Sequence, residues 1–111
     1  MTLNVERRGP AAIVRIIGDL IDPESNDLMR AVDDLVDANV SRIVIDAGGI
    51  TFLSSAGLRD LVQIVARANA DGRRVLLANV SGFVSGVLEV TRLDRFFEVC
   101  PTVDEALKRL E

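Results

Sequence analysis

Short apolar runs rich in β-branched residues alternate along this chain with segments whose apolar residues recur at helical spacing. The runs read AIVRII at residues 12–17, RIVID at 42–46 and RRVLLA at 73–78. Strands that are apolar almost throughout are typical of parallel pairing, because helices cover both faces of a parallel sheet. The alternation therefore predicts an α/β fold with one mixed, mostly parallel sheet.

The remaining segments complete a predicted order of β-β-α-β-α-β-α-β-α. Residues 3–8 and 11–17 flank a Gly-Pro pair and predict an opening β-hairpin. The Asp22-Pro23 pair favours a helix start, since aspartate caps free amides and proline pre-sets the first helical dihedral. Helical stripes and a last short strand lie at 28–36, 58–66, 83–88, 97–100 and 103–110. We expect four to five strands and about four helices, with Gly48-Gly49 forming a turn.

Length and composition narrow the function. A chain of 111 residues predicts one domain, spanning 1–111. The net charge of −4 disfavours a nucleic-acid partner, because an acidic surface is repelled by phosphate backbones. Histidine, the commonest general base and metal ligand, is missing. A single cysteine, Cys100, cannot form an intrachain disulfide or a thiolate zinc site. We therefore expect no catalytic residue, no metal and no cofactor.

Targeting signals are also missing from the sequence. The first ten residues lack the apolar core of a signal peptide. No stretch approaches the roughly 18 apolar residues of a membrane span. We expect a cytoplasmic protein with no direct membrane insertion.

One segment places two hydroxyl groups between a predicted strand and a predicted helix. It reads FLSSAGL at residues 52–58 and contains Ser54 and Ser55. Either serine can cap the helix by accepting a hydrogen bond from an amide two or three residues on, which contributes about 1 kcal/mol. A phosphate beside the positive end of a helix would be well tolerated, and it would add about −1.5 to −2 charges. The segment is thus a candidate phosphorylation switch.

With this segment in place, the whole chain resembles the STAS domain family, in its bacterial anti-anti-sigma form. The motifs that carry the resemblance are GDL at 18–20, RIVIDAGGITF at 42–52, SSAGLRDL at 54–61, RRVLLANVS at 73–81 and VLEVTRLDRFFEVCPTVDEAL at 87–107. The resemblance implies a single STAS domain and a non-enzymatic role in transcription regulation by partner switching. The dephosphorylated protein would bind an anti-sigma factor serine kinase and free a sigma factor. Phosphorylation of a serine would release the kinase, and a PP2C-type phosphatase would restore the binding form. We expect the protein to be a monomer or weak dimer.

The resemblance also implies particular site residues. Ser55 is the expected phosphoacceptor, with Ser54 as second choice, because Ala56 stands where many members carry a second hydroxyl. The chain also departs from the family pattern at Ile21, where many members carry an acidic residue. Asp19 or Asp22 could take the place of that acidic residue. The implied kinase interface comprises Asp22, Ser54, Ser55, Gly57, Leu58, Arg59 and Val62. Of these, Leu58 and Val62 are expected in the core rather than at the surface, and Arg59 is the better candidate for an exposed contact.

Two other functions stay open. The residues Ala56 and Ile21 favour a STAS subunit that does not switch, such as a stressosome-like scaffold or the cytosolic accessory of a lipid or anion transporter. The third possibility is a small enzyme or nucleotide-binding protein that uses acidic residues with Ser54 and Ser55. It is disfavoured because no GxGxxG or GxxxxGK[ST] motif and no histidine accompany those hydroxyls.

Overall fold

The elements of the fold follow the predicted order. The computed structural model describes residues 1–21 and 25–111. The strands in this part of the chain are β1 (Thr2–Arg8), β2 (Ala11–Leu20), β3 (Arg42–Leu53), β4 (Arg74–Ala78) and β5 (Glu98–Cys100). The helices are α1 (Ser25–Asp37), α2 (Ser55–Ala70), α3 (Gly82–Val90) and α4 (Val103–Arg109). The predicted hairpin and the short last strand are confirmed, whereas the predicted helix start at Asp22-Pro23 lies outside the described residues.

The strands form one sheet in the order β1-β2-β3-β4-β5. Strand β1 pairs with β2 in antiparallel fashion, and the later pairs are parallel. The predicted α/β fold with a mixed, mostly parallel sheet is confirmed. The tight turn between β1 and β2 requires an antiparallel pair, and the helices in the other connections provide the long crossovers that parallel pairing needs.

Both faces of the sheet are covered, which is why its central strands are apolar almost throughout. On one face, Val14, Ile45 and Leu77 pack into a core with apolar residues of α1, α2 and α3. On the other face, a smaller cluster packs under α4 and comprises Ile13, Val44, Leu76, Ala78, Cys100, Ala106 and Leu110. Burial raises the pKa of the Cys100 thiol.

The predicted turn at Gly48 and Gly49 is wrong, because β3 continues through both glycines to Leu53. The ladder with β2 shifts there: Arg15 pairs with Asp46, and Ile17 pairs with Gly49, so β3 carries one extra residue. A Cβ atom at Gly49 would lie 2.7 Å from a backbone carbonyl oxygen of β2, and one at Gly48 would overlap a side chain that follows β4. Close approach of neighbouring segments, rather than a turn, requires these glycines.

Asp46 holds this irregular stretch of β3 in place. Its Oδ1 accepts hydrogen bonds from the Gly48 amide at 3.0 Å and from Asn79 Nδ2 at 3.2 Å. Its Oδ2 lies 3.5 Å from Nε of Arg15, which also pairs with Glu6 at 3.0 Å. The aspartate therefore ties β3 to both neighbouring strands.

The length of β3 decides where α2 begins. The β3–β4 ladder ends at the pair of Asp46 and Ala78, but the β2–β3 ladder runs on to Leu20 and Leu53. Strands β2 and β3 thus extend beyond β4 as a two-stranded ribbon. Because α2 starts directly after β3, its first turn lies at the tip of that ribbon.

Candidate functional site

Ser54 is the residue that caps α2. Its backbone is extended, with φ −77° and ψ 163°, and its Oγ accepts a hydrogen bond from the Gly57 amide at 2.9 Å. Its own amide donates to the carbonyl oxygen of Leu20 at 3.2 Å. The structure thus decides between the two candidate caps, and it ties the cap to the end of β2.

Gly57 allows the first turn of α2 to pack closely against Leu20 at the end of β2. It is buried, and a Cβ atom there would overlap the carbonyl oxygen of Leu20 and lie 2.9 Å from the carbonyl carbon. The helix can approach the strand this closely only because position 57 has no side chain. Ser54 and Gly57 together fix where the following residues of α2 point.

Ser55 is the first residue of α2, and its surroundings are different. It is exposed, and within the described part of the chain its hydroxyl has no hydrogen-bond partner. The hydroxyl therefore stands free beside the positive end of a helix dipole. The Ser54 hydroxyl thus caps the helix, whereas the Ser55 hydroxyl is exposed at the surface.

A groove of about 510 Å³ starts at Ser55 and runs between α2 and the segment that follows α3. Its lining residues are Ser55, Leu58, Arg59, Val62, Gln63, Thr91 and Leu93. Arg59 is the charged member of this set. Leu58 is 9 % exposed and Val62 is half-buried against the core, so each contributes to the core and also to the floor of the groove.

The structure brings most of the predicted interface residues together. Ser55, Leu58, Arg59 and Val62 line the groove, whereas Ser54 and Gly57 lie beneath it as supports for the first turn. Asp22, the remaining predicted contact, lies outside the described residues.

Thr91 and Leu93 line the groove although no sequence motif predicts them there. The Thr91 hydroxyl donates to the Val87 carbonyl at 2.7 Å, which closes the end of α3. Arg92 then adopts a left-handed conformation with φ 61°, and Leu93 donates to the Leu88 carbonyl at 2.8 Å. This reversal places Leu93 beside α2. No local sequence pattern indicates such a contact. In the structure, the left-handed conformation of a residue as bulky as arginine marks the tight turn.

The outer face of α3 adds an exposed apolar surface to the groove. Gly82, Phe83, Gly86, Val87 and Val90 form this surface, and Thr91 borders both it and the groove. Val90 is 85 % exposed and Phe83 is 47 % exposed. An uncovered apolar face of this kind is a feature of surfaces that bind other proteins.

The acidic residues that the structure describes form no metal-binding group near Ser55. Asp19, at the end of β2, accepts a hydrogen bond from the Thr51 hydroxyl at 2.8 Å and so joins β2 to β3. Among residues 1–21 and 25–111, no group of three histidine, cysteine, aspartate or glutamate residues could hold a metal ion. The helices in the described part of the chain are all too short or too polar to cross a membrane.

The comparisons with known proteins agree with this architecture. The family model for the STAS domain matches residues 2–106. The protein TM1081 of Thermotoga maritima has a similar structure, with a TM-score of 0.87 and 19 % identity over 96 % of this chain and 92 % of that chain. An anti-sigma factor antagonist of Mycobacterium paratuberculosis has a TM-score of 0.81 and 25 % identity, and the match covers 97 % of this chain and 92 % of that chain. The phosphorylated form of the Bacillus cell fate determinant SpoIIAA has a TM-score of 0.74 and 17 % identity, and the match covers 99 % of this chain and 100 % of that chain.

A different kind of protein shares part of the sequence. Solute carrier family 26 member 10 of the mouse is 35 % identical in an alignment of 75 residues that covers 61 % of this chain. The chain spans about a tenth of that relative's length, since the match covers 11 % of it. Domains of this type therefore occur within much longer chains.

Proposed function

This chain belongs to the STAS domain family, and on that basis we propose that it is an anti-sigma factor antagonist that acts by partner switching. The dephosphorylated protein binds an anti-sigma factor serine kinase through the groove and so frees a sigma factor. Phosphorylation of Ser55 ends that complex, and a PP2C-type phosphatase restores the binding form. Residues 1–111 act as one cytoplasmic domain that is substrate and ligand rather than catalyst. The likeness to an anti-sigma factor antagonist across 97 % of the chain supports this assignment.

The contrast between Ser54 and Ser55 is the observation that carries the proposal. The Oγ of Ser54 is half-buried and accepts the Gly57 amide at 2.9 Å, so a phosphate there would remove the helix cap. The Oγ of Ser55 is exposed and opens onto the groove. Modification of Ser55 leaves the cap intact. The phosphorylated SpoIIAA structure further supports the view that this fold accepts a phosphate.

The proposed reaction needs no catalytic group from this chain. The Ser55 Oγ attacks the γ-phosphorus of ATP, a new O–P bond forms, and the P–O bond to the leaving ADP breaks. The hydroxyl proton passes to a base of the kinase. In the resetting step, a water activated by the phosphatase attacks the phosphorus, the P–O bond to Ser55 breaks, and the serine oxygen takes up a proton as inorganic phosphate is released.

Phosphorylation at this position would act directly on the binding surface. A phosphoserine carries about −1.5 to −2 charges, and it would stand at the mouth of a groove whose floor is formed by Leu58 and Val62. Burying negative charge that no group of the kinase matches costs several kcal/mol in an interface. A tenfold loss of affinity requires only about 1.4 kcal/mol, so one phosphate suffices to separate the complex.

The test uses the cognate anti-sigma kinase with ATP, mapping of the phosphate by mass spectrometry and binding measured by calorimetry. We expect one phosphate on Ser55 in the unmodified sequence and in Ser54→Ala, none in Ser55→Ala, and at least tenfold weaker kinase binding after modification. Ser54→Ala is the matched control, because it removes the neighbouring hydroxyl. Full phosphorylation of Ser55→Ala, or a phosphate found on Ser54, would contradict the assignment.

The apolar face of α3 favours a second candidate, a STAS subunit that is held permanently in a larger assembly. Phe83 and Val90 lie on α3 and are not among the residues that line the groove with Ser55, so a partner bound to them need not respond to phosphorylation. The transporter relative that contains a similar segment is consistent with this alternative. Co-purification separates the two: a multi-subunit shell or a transporter supports the subunit, and a kinase retained only by the dephosphorylated protein supports the switch.

A further inference from the structure

We infer that a phosphate on Ser55 is bound by Arg59 of the same chain, so that modification also removes the positive charge of the groove. The inference deepens the proposed function and rests on it in one respect, that Ser55 is the phosphorylated residue. It makes Arg59 a positioning residue for the phosphate.

Helix geometry places the two side chains next to each other. Ser55 and Arg59 are four residues apart on α2, and residues at this spacing have Cβ atoms about 5–6 Å apart on one face of a helix. Both line the same groove. Because helical side chains lean toward the N-terminus of the helix, the Arg59 side chain extends back toward the position of a phosphate on Ser55.

The guanidinium of Arg59 is available for a new partner. Arg59 is exposed, and in the part of the chain that the structure describes it makes no ion pair or hydrogen bond through its side chain. Arg67, two turns or more further along the same helix, is already occupied, since it lies 3.8 Å from Asp33 and 3.7 Å from the sulfur of Met29. Among residues 1–21 and 25–111, no carboxylate lines the groove to compete for Arg59.

The chemistry of the pair is favourable. A guanidinium offers a planar fork of donors that matches two phosphate oxygens, and such charge-assisted bonds are roughly twice as strong as neutral ones. An anion four residues before a cation is also the preferred orientation on a helix. The charge of the described lining residues would change from +1 to a net of about −0.5 to −1, because +1 is added to about −1.5 to −2. An acidic partner group that binds Arg59 in the unmodified protein would then lose that contact.

The experiment installs phosphoserine at position 55 during translation, so that no kinase is needed. Phosphorus NMR then follows the titration of the phosphate from pH 4 to pH 8 in the otherwise unchanged protein and in three variants, Arg59→Gln, Arg59→Lys and Arg67→Gln. A nearby cation favours the dianion and lowers the pKa of the phosphate. We expect this pKa to rise by about 0.3 or more in Arg59→Gln and by less in Arg59→Lys.

The matched control is Arg67→Gln, which removes the same charge from the same helix about 18 Å from Ser55. It should leave the phosphate pKa unchanged, whereas a general effect of net charge would shift both glutamine variants equally. Equal phosphate pKa values with and without Arg59, or equal shifts in the two glutamine variants, would overturn the inference. Thermal unfolding of the unmodified Arg59→Gln protein checks that the fold is kept. Because the phosphate is installed without a kinase, a negative result leaves the proposed switch standing, and a failed kinase assay leaves the pairing standing.

Discussion

Helices α2 and α3 begin with the same local structure and yet present different surfaces. Ser54 and Ser81 both cap with extended backbones, with φ/ψ of −77°/163° and −67°/163°. Each Oγ accepts the amide three residues on, at 2.9 Å from Gly57 and 3.3 Å from Val84. A serine cap is therefore a structural device of this fold and does not by itself mark a site.

The two helix starts differ in their packing and in the residue after the cap. The first turn of α2 is pressed onto Leu20 through Gly57, whereas a Cβ atom on Gly82 or Gly86 of α3 would meet nothing within 4 Å. After its cap, α2 presents the free hydroxyl of Ser55. The site therefore arises from a tertiary contact that holds one cap in place, with a second hydroxyl beside it.

Replacing Gly57 should produce the largest effect. In Gly57→Ala, the added Cβ overlaps the Leu20 carbonyl, and because backbone must move, we expect the free energy of unfolding to fall by about 2–3 kcal/mol. Gly86→Ala is the matched control on α3, where open space and better helix propensity should raise it by about 0.5–1 kcal/mol. Urea unfolding followed by circular dichroism measures both. Changes of the same sign in the two variants would show that the contact with β2 does not hold α2.

Removing the two caps should give the next largest effect. Ser54→Ala and Ser81→Ala each lose one cap bond, for about 1 kcal/mol of the free energy of unfolding. We expect the loss at Ser54 to approach about 2 kcal/mol, because the Gly57 amide is buried against β2 and water cannot replace the lost acceptor. Thermal unfolding of the two variants side by side checks the order. A smaller loss at Ser54 than at Ser81 would contradict it.

Much of the fold can be predicted from the sequence, because the apolar periodicities switch where the elements change. The failure at Gly48-Gly49 has a specific cause. A glycine pair normally favours a turn, and the reason for these two glycines lies in segments distant in sequence, namely β2 and the Asn79 side chain. A sequence pattern indicates the local conformational preference of a segment, and it does not indicate how closely distant segments approach it.

The site could be predicted in part. The hydroxyls between strand and helix indicate the position, but they leave open whether Ser54 or Ser55 caps α2. The hydrogen bond from Gly57 to Ser54 decides that question, because only one of two adjacent serines can face the amide. Thr91 and Leu93 could not be predicted, since they reach the groove only through the reversal of the chain at Arg92.

The smallest expected change in stability belongs to the residue that we expect to matter most for function. Ser55 is exposed and its hydroxyl has no partner in the described part of the chain, and alanine has the higher helix propensity. Ser55→Ala should therefore change the free energy of unfolding by no more than about 0.5 kcal/mol, as for other exposed substitutions. Urea unfolding beside Ser54→Ala gives the measurement. A loss above about 1 kcal/mol would mean that Ser55 takes part in capping, and the distinction between the two serines would then disappear.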